Sequence, residues 1–235
     1  TTIEFNTSRP PLNDVRVRKA LAHAVNRNAD LQASNDGFGR PSTDWFGPES
    51  KWSCGADTGY PEFNPEKAKA LLKDYGKPVK FKMITMATKN FKVGATVHQT
   101  FWRRVGVEVE LKVVPPGPTY FRELRSGKWD AWLVGISEAV DPGLQAQAFY
   151  SKNRSNITRS NFADVDAALQ KAWGSFQNDK VRKEAYCGYV RAVIEQQPIL
   201  LRSHNNFALI ASKSVKGLTK PSLTLSPIHE AWLER

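Results

Sequence analysis

Histidine, cysteine and carboxylate side chains are the groups in this sequence that can bind a metal ion or transfer a proton. None of the four histidines has a partner four residues away or a cysteine nearby, as a zinc site would require. They are His23, His98, His204 and His229. Glu108 and Glu110 alternate along a predicted strand and face solvent, so they do not form an acid–base pair. The sequence therefore indicates neither a metal site nor a catalytic pair of carboxylates.

Motifs for covalent catalysis and for phosphate binding are also missing from the sequence. There is no G-x-S-x-G turn to present a catalytic serine and no complete glycine-rich phosphate loop. Gly37 and Gly39 supply half of a G-x-G-x-x-G motif, but Arg40 and Pro41 follow where its helix would begin, so the segment predicts a turn. Nothing in these motifs demands an enzyme, and we expect a protein that is not an enzyme and needs no cofactor.

Cys54 and Cys187 are the only cysteines, and they are too few and too far apart in sequence for a zinc cluster. Two interpretations fit them equally well. One is a long-range disulfide bond formed in an oxidising compartment, and the other is a pair of buried free thiols. The sequence alone does not distinguish between the two.

The charge balance is strongly basic, with 34 lysines and arginines against 23 acids and a net charge of +11. Hydrophobic residues make up 40% of the 235 residues, a value typical of globular proteins. The basic residues concentrate on the polar faces of predicted helices and strands, which indicates a solvated surface. These clusters are Arg16–Arg18–Lys19, Lys67–Lys69–Lys73 and Lys77–Lys80–Lys82. The alternative is a basic domain that binds nucleic acid or another polyanion, with steeply salt-dependent affinity.

Neither a membrane span nor a secretory signal is visible in the sequence. The longest uninterrupted apolar stretch, residues 131–136, is far shorter than the roughly 20 residues that cross a bilayer. The chain opens without the basic start and apolar segment of a signal peptide. If the protein is exported, we expect its signal to lie upstream of this chain.

Hydrophobic periodicity predicts alternating helices and strands. The first half contains a helix over 17–25, an irregular segment over 34–65, a helix from Asn64 to Gly76, a strand over 79–83, a helix over 93–105 and a strand over 107–113. The last three elements form a βαβ unit, for which a right-handed parallel crossover is expected. The second half contains a helix over 119–126, a strand over 129–136 buried on both faces, helices over 165–176 and 185–194, and strands over 199–201 and 207–211. The predicted fold class is α/β.

Several short sequence motifs resemble those of the family 5 extracellular solute-binding proteins. These proteins are the peptide, dipeptide and nickel receptors of bacterial ABC importers. The most specific match is the opening signature, "FN…P…D-x-R-V-R-x-A-L…A-x-(D/N)-R". It is matched here by FNT at 5–7, DVRVRKAL at 14–21 and VNR at 25–27. Further matches follow in order: NPEKAKALL at 64–72 with Gly76, VGVEV at 105–109, GKWDA at 127–131, DP at 141–142, Arg182, Pro198 and VKG at 215–217.

The resemblance implies a receptor of two lobes that enclose a ligand. This chain would be the C-terminal ligand-binding lobe over 1–206, a periplasmic-binding-protein-like (type II) lobe with a mixed sheet flanked by helices. Residues 207–235 would be a tail that returns to the first lobe. The implied partners are a peptide or small-molecule ligand, the missing N-terminal lobe and an ABC permease, with no nucleic acid. The protein would be monomeric and periplasmic or otherwise extracytoplasmic.

Two segments that follow predicted strands are the candidate ligand contacts, because ligands of open α/β sheets bind at the carboxyl ends of strands. The first segment, 85–91, offers Met86, Thr88 and Phe91. The second, 136–141, offers Ile136, Ser137, Glu138 and Asp141. Peptide receptors of this family place a tryptophan and then an aspartate in the second segment, and that aspartate holds the ammonium group of the peptide.

The second segment departs from the family pattern at its anchor. Ile136 stands where tryptophan is usual, and no aspartate occupies the anchor position, so Glu138 is the candidate substitute. Without it, an unusual ligand would be expected. Trp45, Phe46 and Trp52 are aromatic side chains that could cover a ligand, with packing in the core or between lobes as the alternative.

Overall fold

The computed structural model describes residues 1–55, 58–136, 139, 141–205, 210–218 and 231–234. The helices are α1 (Val15–His23), α2 (Arg27–Asn35), α3 (Pro65–Tyr75), α4 (Lys89–Arg104), α5 (Pro118–Arg125), α6 (Pro142–Ala146), α7 (Ala163–Trp173) and α8 (Asp179–Gln196). The strands are β1 (Thr2–Phe5), β2 (Arg40–Pro41), β3 (Val79–Met86), β4 (Val107–Val114), β5 (Ala131–Val134), β6 (Ile199–Leu201), β7 (Ser203–His204), β8 (Val215–Lys216) and β9 (Trp232–Leu233). None of the helices in these ranges is long and apolar enough to cross a bilayer.

A five-stranded mixed sheet with the order β4-β3-β5-β1-β6 forms the centre of the fold. β3 runs parallel to β4 and to β5, whereas β1 runs antiparallel to β5 and to β6. The predicted α/β class and mixed sheet are therefore confirmed. In the predicted strand over 207–211, residues 207–209 lie outside the described part and 210–211 form no strand. Residues 219–230 and 235 of the predicted tail also lie outside it.

The βαβ unit formed by β3, α4 and β4 has the predicted parallel arrangement. The register runs from Val79 opposite Val107 to Met86 opposite Val114. Alternate residues of both strands point to the face that α4 covers, where they bury apolar side chains against Phe101 and Trp102. This period of two on the strands, matched to an apolar stripe on the helix, is the pattern that predicted the unit.

Arg18 is an exception to the interpretation of the basic clusters as solvated surface, and for this residue the interpretation was wrong. Its side chain is 1% exposed. The guanidinium donates hydrogen bonds to the carbonyl oxygens of Leu12 (2.8 Å) and Gln196 (2.9 Å). The last carbonyl groups of a helix have no hydrogen-bond donor within the helix and carry partial negative charge. Arg18 therefore caps the carboxyl end of α8. Burial lowers the pKa of Arg18 to about 10, and the group stays charged at neutral pH.

Two helices differ from their predicted extent. α2 was not predicted, because its inward face carries Asp30 and Ser34 beside Leu31 and so lacks an apolar stripe. The helix predicted over 165–176 ends at Trp173, and Gly174 follows it. Phe176 lies beyond that end with its side chain 75% exposed, so its assignment to the apolar stripe was wrong.

A second core lies between α7, α8 and the irregular segment that follows β2. The segment contributes Trp45, Phe46, Trp52 and Tyr60 to this core. A disulfide bond joins Cys54 of the segment to Cys187 of α8, with the two Cα atoms 5.4 Å apart. The segment is thus held to the helix both by aromatic packing and by a covalent bond.

A buried ion pair connects α2 to the residue between β6 and β7. Arg202 donates two hydrogen bonds to the Asp30 carboxylate, at 2.9 and 2.7 Å, and both residues are almost completely buried. His98 of α4 lies 3.7 Å from the same carboxylate, and burial lowers its pKa to about 4, so the imidazole is neutral at pH 7. Arg202 also lies against Gly94 of α4, where a Cβ atom would be 2.5 Å from the guanidinium. This cluster, which we call the Asp30 cluster, ties both helices to the sheet.

Candidate functional site

One edge of the sheet combines the carboxyl ends of several strands with the start of β1. Because β1 is antiparallel to both neighbours, Thr2 stands opposite Val134 at the end of β5 and Leu201 at the end of β6. β3 and β4 end on the same side, since they run parallel to β5. We call this the carboxyl edge. It is where an open α/β sheet binds its ligands.

A small cavity of about 50 Å³ lies at the carboxyl edge. Strand ends and the segment after β2 supply its walls, which include Thr2, Trp45, Ile136, Gln145, Leu201 and His204. Two of these residues, Trp45 and Ile136, belong to the predicted site. The structure therefore brings the irregular segment and Ile136, two residues after β5, to the same cavity.

The polar groups around this cavity are mostly neutral hydrogen-bonding groups. The indole Nε1 of Trp45 and the Oγ1 of Thr2 are buried, and neither has a hydrogen-bond partner among the described residues. The His204 Nε2 lies 2.9 Å from the Ser42 hydroxyl, and burial lowers the pKa of His204 to about 4. Asp44 contributes a carboxylate to the wall, but its oxygens accept hydrogen bonds from the backbone of Phe46 and Cys54.

The segment after β3 lies next to the segment after β5. Phe91 is partly buried, and its ring is 3.8 Å from the position that a Cβ atom on Gly135 would occupy. Met86 packs on the cluster that contains Trp132. Thr88 occupies the position before the first residue of α4, and its side chain makes no capping hydrogen bond. The first predicted ligand segment thus lies beside the chain where it leaves β5 at the carboxyl edge.

The three aromatic residues of the irregular segment have different surroundings. Phe46 is 1% exposed and packs edge to face on Tyr186, with ring centroids 6.1 Å apart. Trp52 packs on the same tyrosine at 6.2 Å. Trp45 packs on Phe149 at 5.0 Å and also borders the cavity. Packing in the core describes Phe46 and Trp52, whereas Trp45 serves both the core and the cavity.

Asp141 has structural partners on two sides. Its carboxylate caps α6 by accepting the backbone N–H of Gly143 at 2.7 Å, and it pairs with Arg182 at 2.7 Å. These bonds join the DP motif to Arg182, two elements of the family pattern that are distant in sequence. Ser137 and Glu138 lie outside the described residues.

Sequence inspection missed most residues of the cavity wall, among them Thr2, Gln145 and His204. Gln145 donates from its side-chain amide to the carbonyl oxygen of Trp45 at 3.2 Å, a contact across 100 residues of sequence. No sequence signal marks Gln145 or Thr2. His204 could have been predicted, because it follows the strand predicted at 199–201 and therefore lies beyond a strand end.

Glu4 is a buried carboxylate two residues beyond Thr2 on β1. It accepts a hydrogen bond from the indole Nε1 of Trp132 at 2.8 Å. Burial raises the pKa of Glu4 to about 7, and the bond from Trp132 opposes this only in part. A carboxyl group in such surroundings is more stable protonated than ionised.

Because the folded state holds the Glu4 proton more tightly than the unfolded state, stability should fall as the pH rises from about 4.5 to about 7. Glu4→Gln removes this titration. Relative to the variant, the wild-type chain is expected to lose about 3 kcal/mol of unfolding free energy between pH 5 and pH 8. Urea unfolding of both proteins at the two pH values measures the difference. Parallel pH dependence in the two proteins would contradict the assignment.

Sequence comparison places the chain among solute-binding proteins. It is 27% identical over 227 residues to the dipeptide-binding protein of Escherichia coli K12, an alignment that covers 92% of this chain and 42% of that protein. It is 29% identical over 226 residues to heme-binding protein A of Haemophilus influenzae, covering 92% of this chain and 41% of that protein. The chain thus spans less than half the length of the curated relatives it matches.

Solved structures show the same fold. A dipeptide-binding protein from Pseudoalteromonas sp. SM9913, in complex with Met-Leu, superposes with a TM-score of 0.85 at 23% identity over 99% of this chain and 48% of that one. NikZ from Campylobacter jejuni, in complex with Ni(L-His), gives 0.82 at 22% identity over 98% of this chain and 51% of that one.

The sequence model that matches this chain describes the middle region of a bacterial family, and the match covers residues 1–156 of the 235. It includes β1, the βαβ unit and β5, which together form four strands of the central sheet. The protein therefore belongs to the bacterial extracellular solute-binding proteins, family 5.

Proposed function

We propose that this chain is the C-terminal, ligand-closing lobe of the substrate-binding component of a bacterial ABC importer. The observation that carries the proposal is the cavity at the carboxyl edge, where Trp45, Thr2 and Ile136 meet. The small volume of this cavity suits one side of a ligand, and a second lobe would supply the opposite wall. Ligands in binding clefts are usually buried over most of their surface, which one wall does not achieve.

The ligand we propose is a peptide or another small solute. Related proteins are named for dipeptides and for heme, and one solved neighbour holds Ni(L-His). The hydrogen-bonding groups around the cavity suit the polar backbone of a short peptide, and Glu138 is the proposed partner for its ammonium group. Binding of this kind requires no catalytic residue or cofactor, so we propose that the protein is not an enzyme.

The proposed setting is the space outside the cytoplasmic membrane. A disulfide bond such as Cys54–Cys187 is typical of exported proteins. There the receptor would act as a monomer that delivers its ligand to an ABC permease, with the first lobe and the export signal encoded upstream.

Native mass spectrometry of the intact receptor tests the proposal with two probes, a dipeptide mixture and Ni(II) with L-histidine. Binding of either probe at low micromolar concentration supports a solute receptor and distinguishes the two ligand classes. If neither binds and the protein instead binds DNA with an affinity that falls steeply with salt, the polyanion-binding alternative replaces the proposal.

For a dipeptide that binds, Trp45→Phe removes the indole N–H and is expected to weaken binding about fivefold, the value of one neutral hydrogen bond. Glu138→Gln is expected to weaken it by about 1.5–3 kcal/mol, because the bond to an ammonium group is charge-assisted. Titration calorimetry measures both effects, with Trp173→Phe as the matched control. Unchanged affinity would remove the substituted residue from the site.

A further inference from the structure

A second cleft, of about 620 Å³, lies on the other side of the irregular segment, between residues 48–55 and α8. Both cysteines of the disulfide bond line this cleft, together with Ser50 and Ser53 of the segment. Cys187 is only 8% exposed, whereas Cys54 is partly exposed, so a small molecule in the cleft reaches the bond from the Cys54 side. None of the aromatic core residues of the segment lines this cleft.

The charges around the bond are arranged asymmetrically. Lys183 and Arg191 lie four residues before and after Cys187, on the same face of α8, and the acid Glu184 lies three residues before it. Lys180 adds a third cation, and Glu184 is the acid on the same wall. Within the described ranges, none of the three cations forms an ion pair with a carboxylate. Such surroundings favour an anionic sulfur at Cys187 and attract anionic molecules.

We propose that Cys54–Cys187 is a thiol-exchange site for small thiols that carry carboxylate groups. The thiolate of the incoming molecule attacks the Sγ of Cys54, the Cys54–Cys187 bond breaks, and Cys187 leaves as a thiolate stabilised by Lys183 and Arg191. The lower the pKa of the leaving thiol, the faster it departs. A second thiolate then attacks the small-molecule sulfur of the mixed disulfide, the bond to Cys54 breaks, and Cys54 leaves as a thiolate that takes up a proton. Two thiols become one small-molecule disulfide, and the protein disulfide gains two electrons to become two thiols.

The consequence of exchange is local. It removes the covalent bond between Cys54 and α8, while Trp52 still packs on Tyr186 of that helix and Trp45 and Phe46 stay in the aromatic core. The proposal does not depend on the importer function, because the cleft, the bond and the cations exist in this chain regardless of the ligand at the carboxyl edge.

The test compares how fast three thiols of different charge reduce the native oxidised chain at low ionic strength. They are glutathione (anionic), 2-mercaptoethanol (neutral) and cysteamine (cationic). The cleft variant combines Lys183→Gln with Arg191→Gln, and the control combines Lys67→Gln with Lys73→Gln on exposed positions of α3, so that net charge changes equally. Reactions are quenched with iodoacetamide and mapped by mass spectrometry.

The ratio of the glutathione rate to the cysteamine rate is expected to fall about fivefold or more in the cleft variant, the factor expected for one close charge pair in water. It should stay unchanged in the control and fall for the wild type in 0.5 M salt, where charges are screened. Glutathione should be found on Cys54 and the alkyl group on Cys187. An equal fall in the control, glutathione on Cys187, or no reduction before the protein is unfolded would overturn the proposal.

Discussion

Combining Cys54→Ser with Cys187→Ser is expected to lower the free energy of unfolding by up to about 5 kcal/mol. The bond spans 133 positions in sequence and therefore restricts a large loop of the unfolded chain. Breaking it gives the unfolded state conformational freedom that the folded state, still held by the aromatic core, does not gain. Urea denaturation at pH 7 measures the loss.

Wild-type protein reduced with excess dithiothreitol serves as the control, because it lacks the bond but keeps both sulfur atoms. It should unfold at the same urea concentration as the double variant. A double variant within 1 kcal/mol of oxidised wild type would show that the bond contributes little, and a reduced protein much more stable than the variant would point to packing of the sulfurs instead.

Asp30→Asn is expected to destabilise the protein by about 3–5 kcal/mol. The substitution leaves the Arg202 guanidinium buried without its counter-charge, and water does not reach it to compensate. His98 does not take over, since it is neutral at pH 7 and offers no negative charge. Equilibrium unfolding in urea gives the value directly.

Asp74→Asn is the matched control for this substitution, because Asp74 also pairs with an arginine, Arg16, but on the surface. Its loss should cost less than about 1 kcal/mol. Replacing both members of the buried pair, Asp30→Leu with Arg202→Met, should recover much of the stability lost in the single variant. Equal losses at Asp30 and Asp74 would contradict the role assigned to the Asp30 cluster.

Local sequence signals predicted the elements whose stability is decided locally. Asn64, Pro65 and Gly76 mark the ends of α3. In the structure the Asn64 side chain accepts a hydrogen bond from the backbone N–H of Lys67, and Gly76 has a left-handed backbone conformation. The strands of the βαβ unit followed from strict alternation. In both cases a short window of sequence contains the residues that interact.

The remaining features depend on partners that are distant in sequence. Arg18 looked like a surface cation, because its partner is the end of a helix 178 residues away. α2 has no apolar stripe to predict it, because the polar residues on its buried face accept hydrogen bonds from Arg202. For the same reason, the cavity at the carboxyl edge was only partly predictable: the strand ends were visible in the sequence, but the approach of Gln145 to Trp45 was not.

The position of β1 between β5 and β6 affects how the protein folds during synthesis. Its neighbours, β5 and β6, begin at residues 131 and 199, so β1 emerges from the ribosome long before either of them. At translation rates of about 5–20 residues per second, roughly 10–40 s pass before β6 follows. The βαβ unit can fold in that interval, whereas β1 has no strand to pair with until β5 emerges and no second neighbour until β6 does, so Ile3 and Phe5 are the core residues that wait longest for their partners.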